Sequence, residues 1–526
     1  MKARFSALAL GLLLAAAVSI QGQEGFGFGF DEEESGGTAD GSGIGSLITG
    51  AAINGKAQGE LIFYAEEFES AEAFRGIRPG NIFSGELNFS ASASNADGVI
   101  NLNLRPDFND PSRILSLNEA YVRAFFGKLT VEGGLRKLTW GKADSLGPLD
   151  VINPLDYSDL SAMSDIQSIK IARPLIRASY DIGAFAKIEG VKIEGVFVPW
   201  FEGHRFAQSP DDRWASSQVA DFQNKISARF GSQFALLPTL GINDPPPSID
   251  PAQVSIDTST LEYAQGGLRL TATAGSSDIG VQYYSGFLPR PAFALNEQGI
   301  SNLSGTITAK AIELASITGK GDSMTSTEVL KAQEIRDSIR QILASLNPLD
   351  VVDIVYTRYH QIGVDYAQVL WGFNFRGEFA ANITEDLKGD DGLVYNPSLA
   401  WSLGFDRDIF AGINVNLQVN ENIRLLDSKT GSGSILHPDI EADSDITSTR
   451  LTLVLSKKFL RDELELRATG IWGIEDMDCY IIPALIWTKG DVALELSGGI
   501  FAGDEKGELG QYRNNGFIKT ALTYSF

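Results

Sequence analysis

The chain has 526 residues, a formal net charge of −24, 55 glycines and a single cysteine. Such acidity excludes a nucleic-acid-binding protein, because no basic surface is left to neutralise phosphates. One cysteine excludes an intramolecular disulfide framework, and a mean hydropathy of −0.03 argues against a bundle of membrane-spanning helices.

The N-terminus predicts export. Lys2 and Arg4 precede an apolar run over residues 5–20, and small residues at Ala17 and Ser19 offer a cleavage site. This pattern is typical of a secretory signal peptide, which we predict over residues 1–22. Residues 23–50 are Gly-rich and acidic and predict a periplasmic leader, which leaves 51–526 as the main domain. No later apolar run reaches the ~20 residues that a membrane helix needs.

From about residue 52 onward, apolar and polar residues alternate. In the run INVNLQVN, Ile413, Val415, Leu417 and Val419 are separated by Asn414, Asn416 and Gln418. Strict alternation is typical of strands with one apolar and one polar face. The whole chain contains about 18 such segments (16 is the alternative count), joined alternately by short turns and long loops. This plan predicts an all-β protein, a transmembrane antiparallel β-barrel with short periplasmic turns and long extracellular loops.

The last segment, GFIKTALTYSF, places Leu522, Tyr524 and the terminal Phe526 on one strand face. Aromatic residues at a strand end suit the membrane interface. The three residues also resemble the C-terminal signal read by the barrel-assembly machinery. Location in the bacterial outer membrane, with its lipid and that machinery as partners, is therefore expected.

One loop segment is predicted to be helical. In residues 326–346, Thr325 and Glu328 have the spacing of a capping box, and Pro348 ends the pattern;. Leu330, Ile335, Ile339, Ile342, Leu343 and Leu346 fall on one face;. A helix with such a stripe needs an apolar surface to cover, which predicts a lid or inward-folded loop; a partner-binding helix is the alternative.

The stretch WGKADSLGPLDVINPLDYSD, residues 140–159, breaks the alternation. Its carboxylates (Asp144, Asp150, Asp156 and Asp159) suggest either a metal or glycosidase site or an ordered loop. Glycosidases need two carboxylates at a defined separation, which loop spacing does not supply. Gly and Pro form turns here, and Asp and Asn side chains bond to turn backbone. We therefore favour an ordered loop that leaves a strand at the extracellular end.

This stretch resembles the signature of a broad family of functionally unassigned bacterial outer-membrane barrels. Those proteins read Trp-Gly-x-x-Asp/Ser followed by Asp/Asn-Val-Ile-Asn-Pro-x-Asp, and the matching residues here are Trp140, Gly141, Asp144, Asp150, Val151, Ile152, Asn153, Pro154 and Asp156. The family's preceding Gly-Arg-Gln is reduced to Arg136 between Leu135 and Lys137. The resemblance implies an outer-membrane barrel that moves hydrophobic or lipid-like compounds, and it supplies no catalytic residues.

Other chemistry has little support in the sequence. The chain has three histidines (His204, His360 and His437), none in a compact motif with a serine;. Acidic runs at 386–392 and 437–445 are compatible with calcium, but match no defined calcium loop, and solvated loops look the same;. We expect no enzyme, no cofactor and no metal.

The favoured hypothesis is an outer-membrane channel or transporter for small or hydrophobic solutes. Its acidic lumen would be constricted by loop 141–173, and segment 202–260 and the helix at 326–346 are further candidates for folding inward and narrowing it. A surface binding or adhesion barrel is the alternative, and an outer-membrane hydrolase is the third. The predicted constriction or loop-anchoring residues are Arg136, Trp140, Asp144, Asp150, Asn153, Asp156, Arg173, His204 and Arg205. The predicted lumen charges are Arg358, Arg376 and Glu378, because charges facing lipid would cost up to about 2–4 kcal/mol near the midplane.

Overall fold

The computed structural model describes residues 48–65, 83–104, 115–163, 166–207, 212–217, 228, 237–242, 256–391, 393–426, 435–436 and 446–526. Among them, 18 strands form one antiparallel sheet in which each strand pairs with the next barrel strand. The last strand pairs with the first over nine residue pairs, which closes the cylinder. The predicted transmembrane β-barrel of about 18 strands is confirmed. The predicted signal peptide and nearly all of the leader lie outside the described residues.

The barrel strands are β1 (Ile48–Tyr64), β2 (Phe83–Ala93), β3 (Ala96–Leu104), β4 (Leu115–Phe126), β5 (Leu129–Arg136), β6 (Arg173–Phe185), β7 (Ile188–Val198), β8 (Gln265–Ala274), β9 (Ser277–Phe287), β12 (Arg358–Leu370), β13 (Phe373–Thr384), β14 (Ser398–Asp408), β15 (Ile413–Arg424), β17 (Thr447–Phe459), β18 (Leu464–Gly473), β19 (Asp478–Lys489), β20 (Val492–Ala502) and β21 (Phe517–Ser525). Three short strands, β10 (Ala292–Leu295), β11 (Val352–Val355) and β16 (Ile435–Leu436), form a separate small sheet.

The alternation in sequence becomes an inner and an outer face. Gln418 of β15 points into the barrel, where it bonds to a loop, and its neighbours Leu417 and Val419 take the outer face. Around the wall, large apolar side chains are exposed on successive strands. Examples, one from each barrel strand from β6 to β14, are Ile176, Phe197, Leu268, Val281, Ile362, Phe379 and Leu403. A continuous exposed apolar band is what lipid contact requires.

The two ends of the barrel differ in their connections. Two-residue turns join β4 to β5, β8 to β9 and β19 to β20, each beginning with a glycine (Gly127, Gly275 and Gly490) at φ 64°, 65° and 58°. Such positive φ values match the twist of paired strands and favour glycine. Segments 137–172, 199–264 and 288–357 connect strands at the opposite end. The predicted asymmetry of turns and loops is confirmed.

The loop between β9 and β12 carries two antiparallel helices, α1 (Glu297–Thr318) and α2 (Ser326–Ala344). Sequence reasoning predicted only the second, whose capping box at Thr325 and Glu328 is present. Ile335, Ile339 and Leu343 are buried as predicted, but Leu330 is 67% exposed. The stripe packs against α1 and against residues 237–242, so these loops share a core of their own. No helix in the described ranges has the length and hydropathy needed to cross a membrane.

Candidate functional site: the inward loop

The segment 137–172, here called the inward loop, is held by hydrogen bonds where it leaves the wall and where it rejoins it. The Asn153 side-chain oxygen accepts the Leu138 N–H at 2.7 Å, and its amide donates to the carbonyls of Arg136 and Ile171 at 3.1 and 2.8 Å. One buried side chain therefore holds both ends of the loop. Asp150 and Lys170 make a second tie at 2.6 Å. Burial raises the pKa of Asp150 despite that lysine.

Within the barrel, the loop's backbone surrounds one carboxylate of a strand that is not a neighbour of β5. Glu378 of β13 accepts N–H groups from Lys142, Ala143 at 2.7 Å and Leu149 at 3.2 Å. A Cβ added at Gly141 or Gly147 would lie 2.3 or 2.4 Å from a Glu378 oxygen. Only glycine lets the backbone approach this closely, and Gly141 also has φ 90°;. Glu378, predicted as a lumen charge, is the anchor of the loop.

A second anchor lies on the neighbouring strands. The Gln418 side-chain oxygen of β15 accepts the N–H groups of Asp144 and Ser145, both at 3.0 Å. The Asp144 carboxylate pairs with Arg376 and accepts a hydrogen bond from Asn416 at 2.9 Å. Asp144 is thus directed at the wall and is bound by it. The predicted lumen position of Arg376 agrees with this contact.

Leu149 fixes the loop's depth. It is fully buried against Ala380 and Ala400, and a Cβ on Gly363 of β12 would lie 2.2 Å from its Cδ2 atom. The carbonyls of Pro148 and Leu149 accept side-chain amides from Gln361 and Gln282, both at 3.0 Å. Backbone inside a barrel must be satisfied by protein or lumen water, and here wall amides satisfy it.

The loop also contacts a third part of the wall, at β19. The Leu160 carbonyl accepts the Tyr480 hydroxyl of β19 at 3.2 Å, and its side chain joins a buried cluster with Trp214, Phe501 and Tyr512. Trp214 belongs to the loop between β7 and β8, so two long loops share this wall contact. The inward loop therefore spans the lumen from β5 to β19.

Arg136 ends β5, and Trp140, near the start of the inward loop, packs against the wall beside it. The Trp140 indole N–H donates to Glu194 at 2.7 Å, and its ring meets Tyr284 edge-on at 6.2 Å. The Arg136 guanidinium pairs with Glu132 at 2.9 Å and lies 4.1 Å from the centre of the Tyr121 ring. Both residues therefore make structural contacts with neighbouring wall strands.

The remaining predicted residues connect the inward loop to segment 199–264. The His204 Nδ1 atom accepts the Leu155 N–H at 2.9 Å, which leaves the ring proton on Nε2. Burial, with help from the Arg290 charge, lowers the pKa of His204 to about 3, so the ring is neutral at physiological pH. Arg205 pairs with Asp156 at 2.9 Å, and the fully buried Arg173 pairs with Glu202 at 2.9 Å.

One predicted lumen charge lies elsewhere. Arg358 begins β12 and, because inward residues on this strand are Tyr359 and Gln361, occupies the outer face. It covers the Phe287 ring at 4.5 Å and donates to the Glu262 carbonyl at 3.0 Å. Because Arg358 lies at the end of its strand, its charge extends beyond the apolar band. The prediction that it faces the lumen was therefore wrong.

Sequence reasoning missed a bridge between two loops that leave distant parts of the wall. Glu508, in the loop between β20 and β21, pairs with Arg450 of β17 and, at 3.1 Å, with Arg290, which follows β9. The two arginines, chiefly Arg450, lower the pKa of Glu508 to about 2. No motif marks these residues, because they meet only through the closed barrel. Gln418 had a faint signal, as the one glutamine within an alternating row of asparagines.

Neither metal nor hydrolytic chemistry gains support here. Asp386, in one predicted calcium loop, accepts N–H groups from Lys388, Gly389 and Asp391, and is a turn residue. The second acidic run, 437–445, lies outside the described residues, together with His437. Among the described residues, no group of three or more His, Cys, Asp or Glu could hold a metal. His360 bonds to the Tyr283 hydroxyl at 2.8 Å, and both residues lie on the barrel's outer face.

No family model matches the chain, and no curated protein is similar to it in sequence. Solved structures with a similar fold include Wzi of Escherichia coli, an outer-membrane protein involved in group 1 capsule assembly and described as a carbohydrate-binding β-barrel. It is 9% identical with a TM-score of 0.42, covering 90% of this chain and 85% of that one. OmpF of Salmonella typhi is 7% identical with a TM-score of 0.37, covering 90% and 97%. The outer-membrane channel DcaP of Acinetobacter baumannii is 8% identical with a TM-score of 0.36, covering 90% and 97%.

Proposed function

We propose that this protein is a passive outer-membrane channel for small solutes, in which the inward loop narrows the lumen. The observation that carries the proposal is the seating of that loop. Glu378, Gln418 and Gln361, from three different strands, accept from or donate to its backbone. A loop held at fixed depth by wall side chains sets a fixed aperture, whereas a loose loop would not. An exported barrel exposed to lipid is consistent with the predicted signal peptide and outer-membrane location.

The charges on the loop support a structural role for it. The carboxylates Asp144, Asp150 and Asp156 each have a basic partner within the protein, so they serve as structural ties. None of them forms the pair of free carboxylates that hydrolysis of a sugar would use. Discrimination between solutes then comes from the width and the lining of the remaining passage. The channel needs no energy source of its own.

Single-channel recording in planar bilayers tests the proposal. The purified barrel should give discrete, stable current steps. Glu378→Ala, which leaves three loop N–H groups without their acceptor, should give larger or noisier steps because the loop is released. Lys331→Ala, which removes an ion pair with Glu313 on the helices outside the wall, is the matched control. A barrel that conducts neither as wild type nor as Glu378→Ala would overturn the proposal.

A surface-binding role is the second candidate, favoured by one observation. Helices α1 and α2 have an apolar core of their own, yet Ile312, Val329 and Leu330 remain 67%, 50% and 67% exposed. Exposed apolar residues on a loop with a packed core are compatible with a binding surface. Host-cell or ligand binding that is lost on substituting these three residues, in a barrel that conducts nothing, would select this role over the channel.

A further inference from the structure

The polar lumen wall carries many charges, and many of those on the described strands pair with a charge of opposite sign, with Glu378 and its three loop N–H groups as an exception. Arg123 bonds Asp97 at 2.7 Å in a two-pronged contact, Lys56 pairs with Glu86 at 2.7 Å, and Arg177 pairs with Glu194. The same holds for Arg269 with Asp365 at 2.6 Å and for Arg467 with Glu465 at 2.6 Å. Each pair contributes almost no net field along the passage.

The inward loop follows the same rule. Lys142 lies 3.2 Å from Asp365, the acid that also binds Arg269, while Asp150 lies 2.6 Å from Lys170 and Asp144 pairs with Arg376. A loop carrying unpaired acids opposite a wall of unpaired bases would create a transverse field. Here the acid and the base that face each other across the loop–wall contact, Asp144 and Arg376, are already bonded. The net charge of −24 is therefore not concentrated where the loop meets the wall.

Beside these charge pairs the lumen face carries many amides, of which Gln418 and Asn416 already bind the inward loop and Asn414 binds Asp408. On β15, inward positions are occupied by Asn414, Asn416, Gln418, Asn420 and Asn422, all registered against inward positions of β14. Asn88 and Asn101 face each other on β2 and β3, although Asn101 is buried and already bonds to Glu86 and Asn118. Each amide offers two donors and one acceptor. This inventory matches the hydroxyl groups of a neutral solute, which also donate and accept.

A wall whose charges are paired gives an ion little electrostatic stabilisation. An ion that enters gives up part of its hydration and gains no compensating charge, whereas clefts lined by one sign of charge concentrate ions of the other. A hydroxylated neutral solute exchanges water hydrogen bonds for amide hydrogen bonds at small net cost.

We infer that the passage is selective for small, uncharged, hydroxyl-rich solutes and discriminates little between cations and anions. This inference rests on the proposed channel function and narrows it to a solute class. It departs from the hydrophobic solutes that the sequence resemblance implied, because the lining beside the inward loop is amide and ion pair.

Tracer efflux from proteoliposomes, with equal KCl on both sides, tests the solute class. Sorbitol, gluconate and N-methylglucamine share a six-carbon hydroxylated chain and differ in charge, so size is matched. Sorbitol should leave fastest, with the two ions slower by similar factors. Faster efflux of either ion than of sorbitol would overturn the inference and leave the channel function standing. A barrel that passes none of the three and carries no current would overturn the channel function itself.

Reversal potentials in a KCl gradient test the charge pairing. The wild-type value should lie near zero. Arg376→Gln unmasks Asp144 and Asp406, which lies 3.0 Å from the guanidinium, and should shift the potential toward cation preference. Asp144→Asn should shift it the opposite way. Lys331→Gln breaks an ion pair with Glu313 on helices that are separate from the barrel strands and should cause no shift. A wild type with strong ion preference, or two lumen variants without opposite shifts, would contradict the inference.

Discussion

Gly363→Ala is the sharpest probe of the inward loop's position. The new Cβ would lie 2.2 Å from the Leu149 Cδ2 atom, whereas carbon atoms in contact prefer about 3.5–4.0 Å. Leu149 would have to move by more than an ångström. The side chain is fully buried, and exposing a leucine costs about 1.5–3 kcal/mol. The equilibrium between seated and unseated loop should therefore shift by roughly tenfold to a hundredfold toward the unseated state.

Single-channel noise and limited proteolysis within residues 137–172 measure that shift. Gly363→Ala should increase both, while the barrel remains intact. Gly404→Ala is the matched control, since a Cβ at this lumen-facing glycine of β14 meets its nearest atom, the Leu417 carbonyl oxygen, at an ordinary 3.5 Å.

The double variant Gly363→Ala with Leu149→Ala removes the overlapping atoms. If steric contact is the cause, adding Gly363→Ala to Leu149→Ala should produce little further increase in noise or proteolysis. Gly363→Ala that behaves like Gly404→Ala in both assays would refute the seating of Leu149 against β12.

Three further results are expected. The folded-state pKa of His204 (about 3) lies below its ordinary value near 6.5. Because the unfolded chain therefore binds the extra proton, stability should fall as the pH drops from about 6.5 toward 3. His204→Gln should weaken this pH dependence in thermal melts. Glu508 has a lowered pKa (about 2), so its stabilisation is present above about pH 4.5 and is lost toward pH 2; Glu508→Gln, read by the same melts, should flatten that limb. Lys170→Met leaves the Asp150 carboxylate, whose side chain is 8% exposed, without its basic partner. This change should destabilise the loop by about 3–5 kcal/mol, which accelerated proteolysis would report. Restored resistance in the double variant Lys170→Met with Asp150→Leu would attribute the loss to the unpaired charge.

Local sequence patterns were sufficient for the wall. An alternation of period two needs no distant partner, so strand number, lipid-facing band and turn asymmetry could be predicted from runs such as INVNLQVN;. The same holds for α2, whose capping box and stripe lie within one segment. Helix α1 was missed because its Ser, Thr, Ile and Gly content has weak helix propensity;. Its helical state is stabilised by packing on α2 and residues 237–242.

The candidate site needed the closed barrel. Sequence analysis predicted an ordered loop at 140–159 with Asp and Asn as its ties, and Asn153 holds the loop ends as that pattern suggests. The wall partners could not be deduced, since Lys142 and Glu378 are 236 positions apart and meet only when the closed barrel lets the loop that leaves β5 reach β13. Chain alternation determines which side of the wall a residue faces. Barrel closure decides which inward residues meet the loop, because a closed cylinder alone brings distant strands within hydrogen-bonding reach of one segment.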